Sequence, residues 1–237
     1  MNIVFEDENI LIIDKPAGLL SHSVSNKDND TLIHRVLGYL EADKNIQSPT
    51  FNPALCNRLD RNTSGLVIAA KNYDALRSVN QTIRENGLAK YYLCLVKGKA
   101  KEKDEISGIL GKDETNRLAF IYEGEDKGKN SLTRYRRLEE KHGYSLLEVE
   151  LVTGRFHQIR VHLSKEMLPI IGDTKYGDKI INEAFNKKYG LRYQFLLAHK
   201  LHFISPMGTL KYLKDRSWCS EIPGNYDIII KDLFGSF

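Results

Sequence analysis

Apolar residues fall along this chain in short blocks whose spacing changes from segment to segment. Ile10 to Asp14 is a short apolar run stopped by Lys15-Pro16-Ala17-Gly18, the pattern of a buried strand entering a turn. Between Asp30 and Glu41, Leu32, Ile33, Val36, Leu37 and Leu40 recur at helical spacing, with Asp30 or Thr31 able to cap the start. A polar loop containing Pro49 and Pro53 follows. Leu66 to Ala70 predicts a second buried strand. Asn72 then opens a helix that places Leu76, Val79 and Ile83 on one face, and Glu85-Asn86-Gly87 ends it.

Tyr91 to Val96 carries aromatic and aliphatic residues on both faces, as a central strand does. The charge- and glycine-rich stretch from Gly98 to Asn130 reads as weaker strands with exposed loops. Leu132 to Leu138 and Tyr144 to Leu151 predict a hairpin around His142-Gly143, with Leu147, Val149 and Leu151 alternating with Glu148 and Glu150. A helix is expected to begin near Thr153, with Phe156, Ile159 and Leu163 on its apolar face, and Leu196 to Phe203 forms a late strand. Hairpins and helices are interspersed without a regular β-α-β repeat, so the expected class is a mixed α+β fold. No internal repeat or Pro/Ser-rich linker divides the chain, which is read as one domain over residues 1–237.

Composition narrows the possibilities only slightly. The 237 residues are 41% hydrophobic and 28% charged, ordinary for a globular protein, and the net charge of +4 permits a nucleic-acid partner without demanding one. Cys56, Cys94 and Cys219 form no C-x-x-C pair, which argues against a disulfide framework and a thiolate zinc site. Glu6, Asp7 and Glu8 stand where a signal peptide needs positive charge, and no apolar run is long enough to span a membrane. A cytosolic location is expected.

Two segments could carry chemistry. In Asn57-Arg58-Leu59-Asp60-Arg61-Asn62-Thr63-Ser64-Gly65, one carboxylate sits between two arginines on a loop that a buried strand would hold rigid. Spacing alone better suits a turn in which Asp60 and Asn62 satisfy backbone amides. In Thr153-Gly154-Arg155-Phe156-His157-Gln158-Ile159-Arg160-Val161-His162, a helix starting at Thr153 would put Arg155 in its first turn. A cation there is disfavoured unless an anion is near. A basic face in solvent fits the same residues. The histidines show no H-E-x-x-H spacing, so no metal site is read, and Lys97-Gly98-Lys99 is too short for a phosphate loop. Gly172-Asp173-Thr174-Lys175-Tyr176-Gly177 reads as a turn, with a catalytic Asp173 as the lesser alternative.

Taken in order, these segments resemble the RluA-type family of pseudouridine synthases. The similarity begins at Glu6 to Gly18 and continues through Arg58-Leu59-Asp60-Arg61-Asn62-Thr63-Ser64-Gly65-Leu66, which is similar to the family's R-L-D-x-x-T-S-G-L motif. It extends over Lys90 to Gly98, the T-G-R-x-H-Q-I-R-x-H segment from Thr153 to His162, and Pro169 to Asp173 with Tyr176-Gly177. The resemblance implies the family's fold: a largely antiparallel central sheet in two interlocked halves, peripheral helices and an RNA cleft. It also implies isomerisation of uridine in ribosomal or transfer RNA by a monomer that needs no cofactor and no metal. Asp60 would be the catalytic carboxylate, paired with Arg160. Tyr92 would contact the target uracil, and Arg58, Arg155 and Arg160 would bind the RNA. Asn57 departs from the pattern, since many relatives carry His there. No small S4-type RNA-binding domain precedes the catalytic pattern in this sequence.

Two rival readings remain at this level. An RNA-binding protein without catalysis would not need Asp60, Tyr92 and Arg160 together. A nucleoside glycosidase would ordinarily use two carboxylates, and only Asp60 lies in a reactive motif.

Overall fold

The fold is set by strands that bury both faces and by a few turns that only particular residues can make. The computed structural model describes residues 1–23, 28–41, 51–113, 115–122 and 128–235. In chain order the elements are β1 (Asn2–Glu6), β2 (Ile10–Lys15), α1 (Leu32–Glu41), β3 (Ala54–Leu55), β4 (Ser64–Ala70), α2 (Tyr73–Arg84) and β5 (Leu88–Lys97). They continue with β6 (Lys103–Asp113), β7 (Leu118–Tyr122), β8 (Lys129–Lys141), β9 (Tyr144–Leu151), α3 (Gln158–Lys165) and α4 (Lys179–Tyr189). β10 (Leu196–Phe203), a 3₁₀ turn (Gly208–Leu213), β11 (Ser217–Cys219) and α5 (Gly224–Phe234) complete the chain. This is the mixed α+β class expected. Of the loop read with Pro49 and Pro53, residues 42–50 lie outside the described residues, as do 114 and 123–127 of the charge-rich stretch.

The described residues cluster into two compact units, Met1–Ala89 with Ala198–Glu221, and Lys90–Leu197 with Ile222–Phe237. Neither is a contiguous piece of sequence, because the chain changes unit inside β5, again inside β10 and a third time after Glu221.

In the first unit, β2 pairs antiparallel with β1 and with β4, and β3 pairs with β4. The register opposes Ile10 to Ala70 and Lys15 to Gly65, so the two apolar runs seen in the sequence lie side by side. Ile10, Ile12, Leu66 and Ile68 share a core with Val79, Leu201, Phe203 and Leu210. Complete burial of such aliphatic side chains is worth roughly 1.5–3 kcal/mol each. Helix α2 begins where expected, its Asn72 side chain accepting the N–H of Ala75 at 2.8 Å, and it lays Ala75 and Val79 against this core. β1 is an edge strand with no fully buried position and a bulge between Ile3 and Phe5, so it left no clear periodicity to read.

In the second unit, β5-β9-β8-β6-β7 form a continuous antiparallel run. The β8–β9 hairpin closes on His142 (φ 55°) and Gly143 (φ 78°), the pair of left-handed residues that a tight two-residue hairpin turn requires. Leu147 and Val149 are buried. Glu148 and Glu150 face the other way, towards Arg136 (2.7 Å) and Arg134 (3.9 Å). Helices α4 and α5, which the sequence reading did not anticipate, bring Phe185, Tyr226, Ile229 and Ile230 to a core with Leu95, Leu146, Phe195 and Leu197. Among the described residues no helix is long and apolar enough to cross a membrane, and the three cysteines are free thiols.

One glycine in the first unit has no substitute. Gly65 has φ +111°, and a Cβ there would lie 2.4 Å from the backbone oxygen of Ala198 in β10. Both strain and clash arise from backbone that cannot step aside. Gly65→Ala is therefore expected to cost about 3 kcal/mol or more, read from urea unfolding midpoints, whereas Gly143→Ala at an open turn should cost about 1 kcal/mol.

Candidate active site

The loop before β4 is held at nearly every backbone group that flanks Asp60. Ser21 accepts the N–H of Leu59 at 3.2 Å and donates its hydroxyl to the Leu59 carbonyl at 2.9 Å. Gly18 N–H donates to the Arg61 carbonyl, and the Asp60 carbonyl accepts Thr63 N–H. Asn57 works like a strand residue: its Oδ1 accepts Ile68 N–H at 2.8 Å and its Nδ2 donates to the Leu66 carbonyl at 3.4 Å. Asn57 therefore has a clear local role, that of fastening the loop to β4. Asp60 itself is partly exposed, and Arg58 is exposed.

Beneath the loop lies Lys15, the last residue of β2, with no exposed surface. Its ammonium donates to the carbonyls of Leu19 (2.8 Å), Pro16 (3.0 Å) and Arg61 (3.2 Å). Three donors meet three acceptors, so the charged form is fully satisfied. Burial pulls its pKa down to about 8, with the negative charges of Asp60 and Asp14 acting in the opposite direction. Lys15 thus places a positive charge in the electrostatic field of Asp60. The sequence reading treated Lys15 as part of a turn. The signal that could have singled it out is a lysine continuing an apolar run, which has to be paired if buried.

Tyr92, Arg155 and Arg160 belong to the second unit. Tyr92 is buried on β5 opposite Val149, and its neighbour Tyr91 points to the other, charged face. Helix α3 begins at Gln158, not near Thr153, which corrects the sequence expectation. The reason is local side-chain competition. Thr153 Oγ1 accepts Leu132 N–H and donates to Gln158 Oε1, which also accepts Arg155 N–H, so these groups are engaged outside any helical ladder. Arg155 consequently precedes the helix and its position owes nothing to a helix dipole. It is exposed, with Nε donating to the Asn130 carbonyl at 3.0 Å. Phe156 likewise lies ahead of the helix, while Ile159 and Leu163 are buried on it as expected.

Arg160 is buried in α3, and two of its nitrogens meet Asp173 in a bidentate pair, Nε–Oδ2 at 2.7 Å and Nη2–Oδ1 at 2.8 Å. Asp173 also accepts the N–H groups of Lys175 and Tyr176. Burial alone would raise the Asp173 pKa, but Arg160 and these amides outweigh it and hold the carboxyl below its ordinary value. The turn reading of Asp173 is therefore right, and the turn has a second duty that spacing did not disclose. Gly172 permits it, with φ +82° and the Tyr193 carbonyl 2.3 Å from where a Cβ would be. Behind the helix, His162 is wholly buried with Nε2 2.9 Å from Ser131 Oγ, and burial, then Lys165, pulls its pKa to about 4.

Removing Asp173 strands a buried guanidinium. Asp173→Ala is expected to destabilise the protein by about 3–5 kcal/mol, and the double variant Asp173→Leu/Arg160→Met by much less, in matched urea titrations. His162 has a folded pKa below its unfolded value of 6.5, so the unfolded chain binds more protons between pH 6.5 and 4. Stability should fall by up to about 3 kcal/mol as pH drops through that window, and His162→Gln should remove that share of the slope.

Comparison with known proteins agrees with this arrangement of motifs. A family model described as RNA pseudouridylate synthase matches residues 9–165. Ribosomal large subunit pseudouridine synthase D of Borreliella burgdorferi is 37% identical over 236 residues, covering 99% of this chain and 69% of the relative. Ribosomal large subunit pseudouridine synthase C of Vibrio cholerae is 35% identical over 210 residues, covering 88% of this chain and 63% of that protein. The solved structure of human RNA pseudouridylate synthase domain containing 4 shares the fold, with a TM-score of 0.71 at 23% identity over 97% of this chain and 91% of its own. The clasped Arg58–Gly65 loop and the Thr153–His162 segment both fall within the matched region, and the chain belongs to the RluA-type family of RNA pseudouridine synthases, which isomerise uridine within RNA.

Proposed function

We propose that this chain converts uridine to pseudouridine in ribosomal RNA, with the Asp60 carboxylate as its reactive group and without a cofactor. The observation that carries the proposal is the fixation of the Asp60 loop: Ser21 ties it at Leu59, Lys15 and Gly18 both at the Arg61 carbonyl, and Asn57 fastens it to β4. Such investment in one carboxylate's position suits chemistry that depends on orientation. The relatives named for the large ribosomal subunit favour ribosomal over transfer RNA.

The reaction breaks the C1′–N1 bond, turns the uracil and rejoins it through C5, with loss of the C5 proton and gain of one at N1. Neither redox change nor net water is required. A carboxylate can start this by attacking the sugar or the base, or by taking a proton from the sugar, and each route ends with C5–H loss. The target base has to leave its stack, at a cost of a few kcal/mol. Tyr92 offers a ring against it, worth roughly 1–3 kcal/mol per stacked base. Arg160, held in place by Asp173, binds substrate. Arg58 and Arg155, both exposed, contact the phosphate backbone, which positions a strand without reading its sequence. The enzyme works as a cytosolic monomer.

Large-subunit ribosomal RNA carrying tritium at uridine C5 tests this. Wild type should release the label to water and Asp60→Ala should fall to background while still folding. Release of free uracil would point to hydrolysis instead, and silence of the wild type would favour a binding protein. Arg58→Ala should weaken RNA binding and reduce the salt dependence of log K by about one unit of slope.

A further inference from the structure

Tyr176 closes the Asp173 turn, and the functional proposal leaves it without a role. Its side chain joins three parts of the second unit. The hydroxyl receives the N–H of Ala119 in β7 at 2.6 Å and lies 2.9 Å from Nδ1 of His157. Because the amide can only donate, the phenol's own proton is available to Nδ1 of a neutral imidazole. The ring has a separate contact, with the Arg160 guanidinium carbon 5.1 Å from its centroid.

The same junction is reinforced around it. Leu110, Ala119 and Val161 form a small buried cluster against which Ile121, Phe156 and Tyr176 pack. Lys175 Nζ donates to the Arg117 carbonyl in the turn of the β6–β7 hairpin at 2.6 Å. Lys112 Nζ, on β6, lies 5.2 Å from the centroid of the Phe156 ring. His157 has φ +53° and precedes α3 without a side-chain capping bond. A residue with a Cβ holds that conformation when its surroundings impose it. Here they are the Tyr176 hydroxyl and the Phe156 ring stacked at 3.7 Å. The hairpin held in this way presents exposed Lys112 and Arg117.

We propose that Tyr176 is a positioning residue for RNA: its hydroxyl fixes the β6–β7 hairpin, with its exposed Lys112 and Arg117, to the segment carrying Arg155, and its ring orients Arg160. This rests on the reading of Arg155 and Arg160 as RNA-binding residues. The two halves of the side chain then have separable effects. The hydroxyl governs how the hairpin meets the RNA strand, whereas the ring governs the orientation of Arg160.

The test compares wild type, Tyr176→Phe and Tyr176→Leu on large-subunit ribosomal RNA labelled with tritium at uridine C5, alongside equilibrium binding of that RNA and hydrogen exchange in the peptide containing Ala119. Tyr176→Phe should raise KM and the RNA Kd about fivefold or more, with kcat within about twofold, and should speed exchange at Ala119. Tyr176→Leu should add a fall in kcat of about tenfold or more. Wild-type KM, Kd and exchange in Tyr176→Phe would overturn the proposal. So would equal losses of kcat in both variants that merely follow a lowered Tm. If wild type releases no tritium, the isomerase reading fails. Tyr176 is then judged by Kd and exchange alone: a weakened Tyr176→Phe supports the positioning role and an unchanged one refutes it.

Discussion

The Lys15 ammonium has no exposed surface, and the geometry of the loop around Asp60 depends on it. A cation with no exposed surface survives in a protein interior when every N–H has an acceptor, and here the acceptors are the carbonyls of Pro16, Leu19 and Arg61. Those carbonyls belong to the two loops that follow β2 and precede β4. The loops cannot drift apart without leaving a charge unpaired, which turns a costly burial into a constraint on shape. Ser21 and Asn57 add neutral ties to the same loop, and Gly65 lets the following strand approach the backbone of Ala198.

The second unit solves a related problem with a different partner. Arg160 is a buried cation whose partner is a carboxylate, and Asp173 in turn is steadied by two backbone amides. The bidentate geometry fixes the guanidinium plane as well as its position, which a lysine at the same place would not do. Tyr176 continues this chain of contacts from the turn to the hairpin and to the residue before α3. Rigid placement of cations is thus common to both units, although one unit uses carbonyls and the other a carboxylate.

The sequence expectations erred where side chains compete with the backbone. Thr153 and Gln158 hydrogen-bond one another and the neighbouring strand, and the helix starts only after they are satisfied. Periodicity cannot register that exchange, because Phe156, Ile159 and Leu163 are spaced as a helix would space them whether or not the first turn forms. β1 and α4 escaped notice for another reason. β1 is an edge, and α4 is mostly exposed, with only Phe185 fully buried along its length. Elements that bury little leave a weak pattern.

What the sequence by itself determined was local: the two doubly apolar strands β2 and β4, the Asn72 cap of α2, and the His142-Gly143 hairpin. Each follows from the conformational preferences of a few consecutive residues. The ordered motifs also determined the family, and with it Asp60 as the residue to examine. Only the tertiary structure decided how the loop carrying that carboxylate is held, since Lys15 and Ser21 reach its backbone from elsewhere in the chain and Asn57 fastens it to β4, through hydrogen bonds that leave no periodic trace. It likewise decided that Asp173 serves Arg160 and that Tyr176 joins the hairpin to α3. Such pairings depend on which distant backbones the two cores bring within about 3 Å, a distance at which hydrogen bonds form and which spacing along the chain does not encode.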